Sequence, residues 1–180
     1  MLMFVTGNKH KFSEAERILK GHNIMIMHNP IGYEEIRSDD CAAVASAGAK
    51  YCYGKVKKPL FVEDSGLFID KLNGFPGAYS SWVNGKIGIN GILKLMEGEK
   101  DRRAAFKTVV AYADGKGIKT FVGVCKGSIA ERAIGKGGFG YDPIFIPEGF
   151  SKTFSQDMAL KDCVSHRRKA LEKLAVYLKR

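Results

Sequence analysis

The sequence predicts an α/β protein with a mixed β-sheet, and three features lead to this class. Short apolar runs alternate with segments of helical periodicity as far as Val62, which is the pattern of strands joined by helices. The turn-forming residues 114–117 then separate two β-rich runs, as in a hairpin. The chain has 180 residues, 45% of them hydrophobic and 27% charged. These values suit a single globular domain, residues 1–180, made of two lobes.

The first elements follow from apolar runs and the residues that end them. Leu2–Thr6 is predicted to be a buried strand that stops at Gly7. Asn8 is a good N-cap for the helix that follows, and Gly21 is a plausible stop for it. The apolar run 24–27 predicts a second strand.

The next elements carry the first candidate site. Cys41–Tyr53 has small side chains at helical spacing and predicts a tightly packed helix. Leu60–Val62 is the third predicted strand. Glu63 and Asp64 would then stand at its carboxyl end, where α/β folds place ligand sites.

The second half changes character. The segment 74–91 is rich in Gly, Ser and Asn and predicts loops, with a short helix over 92–96. The runs 104–113 and 118–124 are the predicted hairpin strands. Ser165 is predicted to cap a last helix with an apolar side.

Charge is the unusual part of the composition. Lys plus Arg number 29 against 19 Asp plus Glu, for a net charge of +10. This excess predicts an anionic partner, such as nucleic acid, membrane headgroups or a polyphosphate substrate. No stretch of 18 apolar residues occurs and the N-terminus lacks the pattern of a signal peptide, so no membrane span is expected.

The cysteines indicate a reducing compartment. No two of them have CxxC spacing, so we expect small buried thiols in the cytoplasm. They are Cys41, Cys52, Cys125 and Cys163. A nucleophilic pair of Cys163 with His166 is the alternative.

The turn after the first predicted strand has the residues of an anion site. Residues 6–11, Thr-Gly-Asn-Lys-His-Lys, combine a glycine turn with two lysines at a helix start. Free N–H groups and the positive end of the helix dipole favour an anion there, and without one the lysines weaken the helix. The P-loop spacing is missing. The alternatives are a phosphate site and an ordinary turn with solvated lysines.

Glu63 and Asp64 are the candidate acidic residues. Strand alternation sends them to opposite faces, so one is expected to enter a given site. Such a carboxylate can hold Mg²⁺ or orient a water, and Mg²⁺ commonly takes one or two carboxylates plus substrate phosphates. Glu34 and Glu35, before Ile36, could supply a second ligand, although acidic pairs in loops are usually just solvated. The alternative is a solvated acidic turn.

Two later segments offer further candidates. Residues 137–143 combine glycines with two aromatic rings for stacking, and Asp142 there can accept a hydrogen bond from a nucleobase. Lys161 and residues 165–168 put basic groups at the start of the last helix, where a bound anion would stabilise them. A glycine loop over the core and a charged surface are the alternatives.

Taken together, the motifs resemble those of one family. Eight of them occur in this order: Thr6-Gly7-Asn8-x-x-Lys11, Glu35-Ile36, Lys50 after Ala49, Val62-Glu63-Asp64-Ser65-Gly66-Leu67, Pro76-Gly77-Ala78-Tyr79-Ser80, Gly138-Phe139-Gly140-Tyr141-Asp142-Pro143-Ile144-Phe145, Lys152-Thr153-Phe154 and Ser165-His166-Arg167. The chain resembles the inosine triphosphate pyrophosphatase family from Met1 to the last helix.

The resemblance implies a fold and an activity. The fold would be an elongated mixed β-sheet with flanking helices and two lobes around a central nucleotide cleft. The activity would be Mg²⁺-dependent hydrolysis of ITP, XTP and their deoxy forms to the monophosphate and pyrophosphate, which cleanses the nucleotide pool. A homodimer is implied. From the cysteines and the dispersed basic residues we expect it in the cytoplasm, with no nucleic-acid or membrane partner.

The resemblance also assigns residues to roles. Glu35 and Asp64 would hold Mg²⁺, Asp64 would be the general base, and Ser65 would bind near the scissile bond. The triphosphate would lie on Thr6, Gly7, Asn8, Lys9, His10, Lys11 and Lys50. The base and sugar would be enclosed by Phe139, Gly140, Tyr141, Asp142, Lys161, His166 and Arg167.

One region departs from the family. Ser155-Gln156 stands where Ala-Glu is usual, the segment up to Ser165 is one residue short, and Asp162 replaces an Asn. The alignment of Lys161 depends on this segment.

Two other functions stay open: a pyrophosphatase for other modified nucleotides, and a basic nucleic-acid-binding protein. The dispersed basic residues and the missing RRM, KH and helix-turn-helix signatures count against the second.

Overall fold

The computed structural model describes residues 1–180, which form seven strands and five α-helices. The strands are β1 Leu2–Val5, β2 Ile26–Asn29, β3 Leu60–Ile69, β4 Pro76–Gly77, β5 Arg103–Ala113, β6 Ile118–Ile129 and β7 Phe145–Pro147. The α-helices are α1 Lys9–Lys20, α2 Cys41–Val56, α3 Ser80–Leu95, α4 Met158–Val164 and α5 His166–Leu178. None of the helices has the length and apolarity that a membrane span needs.

All seven strands belong to one mixed sheet in the order β2-β1-β3-β5-β6-β7, with β4 paired to β3. β1 pairs in parallel with β2, Leu2 opposite Ile26, and with β3, Phe4 opposite Phe61. The pairs β3–β4 and β6–β7 are antiparallel. The predicted α/β class with a mixed sheet is therefore confirmed.

The chain forms two compact units, each with its own core. The first comprises Met1–Asp64, Thr108–Gly123 and His166–Arg180, and the second comprises Ser65–Lys107 and Val124–Ser165. The core of the first unit consists of Phe4, Ala15, Ile18, Leu19, Ile26, Phe61, Val110, Tyr112, Ala170, Leu171, Leu174 and Ala175. The core of the second consists of Leu67, Ile69, Val83, Ile92, Met96, Ala104, Phe106, Cys125, Ile129, Tyr141, Ile144, Phe145 and Phe154.

Two predictions about the acidic strand and the glycine-rich middle are wrong. β3 runs on to Ile69, so Glu63 and Asp64 lie inside a strand. The strand continues because β4 pairs with its second half, at Leu67 and Phe68. The segment predicted as loops contains α3, which is interrupted at Gly88 with φ of 62°. Burial of apolar residues of α3 in the second core outweighs its glycine content.

Smaller differences concern element ends. The second strand begins at Ile26 rather than Ile24. The separate helix α4 was missed, and Ser165, which follows it, is its C-cap. All four cysteines are free thiols, as predicted, but Cys163 is exposed rather than buried.

Candidate functional site

The β1–α1 turn is built by the Asn8 cap. The Asn8 side chain accepts hydrogen bonds from the amides of His10 (2.9 Å) and Lys11 (3.2 Å). The Asn8 amide donates to Thr6 Oγ1 at 3.1 Å. None of these bonds uses the amide of Lys9, and the first turn of α1 contains no acidic residue. The predicted cap is therefore confirmed, and the turn keeps the positive charge that an anion site needs.

Hydrogen bonds between Thr6 and strand β2 also hold this turn. The Thr6 amide donates to the carbonyl oxygen of Asn29 at 3.1 Å. Nε2 of His28 lies 2.8 Å from the carbonyl oxygen of Thr6 and donates to it, because that oxygen can only accept. The His28 ring is stacked on Phe12 of α1, with centroids 4.7 Å apart. Strand, turn and helix are thus held together at Thr6.

A cluster of four charged side chains lies beside this turn, three of them buried and the fourth, Lys11, partly exposed. The guanidinium of Arg167 donates from Nε to both carboxylate oxygens of Glu63 at 3.0 Å and from Nη2 to Oε1 at 2.8 Å. It also bonds to Glu14 through Nη1. Nζ of Lys11 lies 3.4 Å from Glu63 Oε1. The two positive and two negative charges balance within the cluster.

The charges inside this cluster shift two pKa values. Burial alone would raise the pKa of Glu63, but the positive charges of Arg167 and Lys11 and their hydrogen bonds lower it. Burial alone would lower the pKa of Arg167, but the carboxylates of Glu63 and Glu14 raise it. The carboxyl of Glu63 and the guanidinium of Arg167 are therefore both held in their charged forms at neutral pH. Arg167, predicted at the base end of the substrate, connects α5 to β3 and α1.

Asp64 is the buried acidic residue on the other side of β3 from the cluster, with 8% of its surface exposed. Glu35 is exposed in the segment between β2 and α2. Burial and then electrostatic interactions with Glu35, Cys52, Asp64 and Glu63 raise the pKa of Tyr33.

The acidic residues fit Mg²⁺ better than a metal held entirely by protein. No group of three or more His, Cys, Asp or Glu side chains could hold a metal ion. Mg²⁺ commonly binds one or two carboxylates and completes its coordination with substrate phosphates and water. A buried carboxylate at Asp64 and an exposed one at Glu35 match such a sparse set of oxygen ligands.

The second unit contains a separate buried charge pair. Nζ of Lys161 lies 2.6 Å from Oδ2 of Asp142, and both side chains are buried. The same oxygen accepts a hydrogen bond from the Phe139 amide at 2.8 Å. Lys161 Nζ also lies over the Phe139 ring, 4.6 Å from its centroid. Gly138 has φ of +74°, and a Cβ there would lie 2.1 Å from Asp142 Oδ2, so this loop requires glycine.

This arrangement gives Asp142 and Tyr141 structural partners. Oδ2 of Asp142 already accepts hydrogen bonds from Lys161 Nζ and from the Phe139 amide. The Tyr141 hydroxyl donates to the Ser80 carbonyl oxygen at 3.3 Å, and burial raises its pKa to about 12. The Tyr141 ring is part of the second core, whereas Phe139 is half-buried.

The remaining predicted site residues differ in exposure. Gly7, Lys9, His10 and Lys50 are exposed. Ser65 and Gly140 are half-buried. His166 is buried at the start of α5. The structure therefore groups Lys11 with Arg167 and Asp142 with Lys161, each pair within one unit.

Sequence reasoning missed Glu14 and Tyr33. Glu14 is four residues before Ile18 and next to Ala15, on the apolar side of α1, and a carboxylate there indicates a buried cationic partner. Arg167 gave the same signal, since it precedes Ala170 and Leu171 at helical spacing. Tyr33 lies in an irregular segment and gave no comparable signal.

Comparison with known proteins gives one consistent result. The sequence profile of the Ham1 family matches residues 2–177. A dITP/XTP pyrophosphatase from Methanopyrus kandleri is 48% identical, over 99% of this chain and 96% of its own length. A dITP/XTP pyrophosphatase from Thermococcus kodakarensis is 46% identical, over 99% of this chain and 97% of its own length.

Solved structures agree with the sequence comparison. A HAM1 protein from Coxiella burnetii superposes with a TM-score of 0.87 at 30% identity, covering 99% of this chain and 98% of that one. The Staphylococcus aureus Ham1 protein superposes with a TM-score of 0.86 at 28% identity, over 99% and 97% of the two chains. These matches confirm the resemblance carried by the sequence motifs.

Proposed function

The chain belongs to the Ham1 family, and we propose that it hydrolyses non-standard purine nucleoside triphosphates, ITP, XTP and their deoxy forms, to the monophosphate and pyrophosphate. The observation that carries this proposal is the full-length similarity to relatives named dITP/XTP pyrophosphatases. The structure supports it with a positively charged helix start next to a strand of buried carboxylates.

The phosphate end of the substrate is assigned to the β1–α1 turn and α2. The positive end of α1, with Lys9 and Lys11 in its first turn, suits a polyphosphate. Cleavage between the α- and β-phosphates develops negative charge on the pyrophosphate leaving group. Lysines and backbone amides aimed at that group stabilise the charge in the transition state. Lys50, exposed on α2, is proposed to add to this charge.

Asp64 is proposed as the general base. A water attacks the α-phosphorus, Asp64 accepts its proton, and the bond to the β-phosphate oxygen breaks to release pyrophosphate. Glu35 and Asp64 would hold Mg²⁺, which when bound offsets negative charge on the phosphates. Ser65, the next residue on β3, is proposed to bind substrate close to the scissile bond.

Base selection is proposed to depend on the six-position of the purine. A keto oxygen accepts a hydrogen bond, whereas the amino group of adenine presents a donor. The sequence suggests Arg167 or a backbone amide as the donor, but the Arg167 guanidinium is already bonded to Glu63 and Glu14. The donor is therefore proposed to be a backbone amide, which adenine would leave unpaired, and that mismatch gives large discrimination. The base and sugar contacts are assigned to residues 139–142, Lys161, His166 and Arg167. We further propose that the protein is a cytoplasmic homodimer. Residues 1–180 of each chain are proposed to form a single nucleoside triphosphate pyrophosphatase domain.

A nucleotide panel with Mg²⁺ tests the activity. We expect pyrophosphate from ITP, dITP and XTP and little from ATP or GTP, with pyrophosphate and orthophosphate quantified separately. Orthophosphate as the main product, or ATP as the best substrate, contradicts the proposal. Faster cleavage of a modified pyrimidine triphosphate would favour the alternative of a pyrophosphatase for other modified nucleotides.

An Asp64→Asn variant tests the general base. The substitution keeps the size of the side chain but removes its basicity, so we expect kcat to fall by about 100-fold or more. Asp39→Asn is the matched control, because Asp39 is exposed in the segment before α2. Wild-type kcat in Asp64→Asn would remove this residue from the mechanism.

A further inference from the structure

The segment between β2 and α2 is attached to α2 through one aromatic residue. Residues 30–40 form neither helix nor strand, and Asp39 lies in a bend. Tyr33 is half-buried there, whereas Glu34 and Glu35 are exposed. The Tyr33 ring lies over one turn of α2, against Gly48 and within 6.4 Å of the Tyr51 ring centroid.

The Tyr33 ring packs directly against Gly48. A Cβ at Gly48 would lie 2.7 Å from Cε2 of Tyr33 and 2.8 Å from both Cζ and Oη. Real Cβ atoms do not approach that closely, so alanine at this position would push the ring away. Gly54, in the same helix, has no atom within 4 Å of its would-be Cβ. Of the two glycines in α2, Gly48 is therefore the one at which an added Cβ would clash with the Tyr33 ring.

Tyr33 also lies close in the chain to one of the proposed metal ligands. Glu35 is two residues along the chain from Tyr33, and Asp64 belongs to β3. The packing of Tyr33 on Gly48 therefore attaches the chain two residues before Glu35 to α2.

We propose that Tyr33 is a positioning residue, seated on Gly48, that holds the Glu35 segment against α2 so that Glu35 and Asp64 bind one divalent cation together. This inference rests on the proposed function, which assigns the cation to these two carboxylates. The packing of the Tyr33 ring restricts the segment before a cation binds. A restricted segment loses less conformational entropy when its carboxylate binds the cation.

Direct cation binding tests the inference. Mn²⁺ is titrated into the protein with α,β-imido-ITP, a non-hydrolysable analogue, and free Mn²⁺ is measured by EPR. We expect Gly48→Ala to weaken Mn²⁺ binding about 10-fold, in the range for residues that orient metal ligands. Gly54→Ala is the matched control and should stay within about 2-fold of wild type, since it meets open space.

Two variants of Tyr33 separate packing from other effects. Tyr33→Ala should weaken Mn²⁺ binding as much as Gly48→Ala. Adding Gly48→Ala to it should cost nothing more, because the ring that clashes is gone. Tyr33→Phe keeps the ring and should retain wild-type affinity. Equal losses from Gly48→Ala in both backgrounds, or a Tyr33→Phe variant as weak as Tyr33→Ala, would overturn the inference.

Variants of the ligands distinguish this inference from the proposed function. If Glu35→Gln and Asp64→Asn leave Mn²⁺ affinity unchanged, the proposed metal ligands are wrong and the inference fails with them. If those variants weaken binding while Gly48→Ala and Tyr33→Ala do not, only the role of Tyr33 fails. Thermal unfolding of each variant shows that the protein is folded, and Tyr33→Leu replaces Tyr33→Ala if the alanine variant unfolds.

Discussion

Replacing Arg167 by Met tests the buried charge cluster most directly. The guanidinium is 1% exposed and forms three hydrogen bonds with Glu63 and one with Glu14. Methionine fills much of the same space without charge, so the two buried carboxylates would lose the guanidinium that they share. Removing one partner of a buried ion pair costs about 3–5 kcal/mol, and we expect that loss of unfolding free energy at pH 7.

The pH dependence gives the loss a specific sign. In the wild type the pKa of Glu63 is lowered. Its stabilising contribution is therefore present above the unfolded-state value, about 4.3, and is lost only as pH falls through the lower folded value. In Arg167→Met, burial should dominate and raise the pKa of Glu63. The buried carboxylate is then protonated in mild acid, and the penalty of the substitution should shrink as pH falls from 7 to 4.

Urea denaturation at pH 7 and pH 4 measures both quantities. Arg168→Met is the matched control, since Arg168 forms a partly exposed pair with Glu172 at 2.9 Å. Such a pair contributes about 0.5 kcal/mol or less. A loss below about 1 kcal/mol for Arg167→Met, or an equal loss at the two pH values, would refute the argument from buried charge.

Two further predictions concern glycine packing and the second charge pair. Gly66→Ala should lower stability by about 1–3 kcal/mol in thermal unfolding, because its Cβ would lie 2.0 Å from a rigid backbone carbonyl of β4. Gly54→Ala should be neutral or slightly stabilising in the same assay. Lys161→Met should cost about 3 kcal/mol, because it leaves the Asp142 carboxylate buried without its cation. Lys152→Met, which breaks an exposed pair, should unfold within about 2 °C of wild type.

Local signals predicted the structure of the β1–α1 turn well. The glycine turn, the Asn8 cap and the helical spacing of α1 involve residues within a few positions of each other, so the sequence carries them directly. The structure adds the bond from His28 to the Thr6 carbonyl oxygen, which joins residues 22 positions apart. That contact depends on the parallel pairing of β1 with β2, which no local pattern reveals.

The errors have one common cause. The segment around Gly88 has the composition of a loop, yet it forms α3, because Val83 and Ile92 are buried in the second core. β3 continues past Asp64 because β4 supplies a pairing partner for Leu67. In both places a distant contact outweighs local propensity, which is a weak preference of less than about 1 kcal/mol per residue.

The residue types of the candidate site, their order and the family they indicate are all readable in the linear chain, because motifs such as residues 62–67 and 138–145 are local. The partners of those residues were decided by folding. Glu63 and Arg167 are 104 positions apart and Glu14 and Arg167 are 153 apart, yet they share one buried cluster. A buried charge requires a compensating neighbour, and only the packed sheet and helices determine which side chain that is.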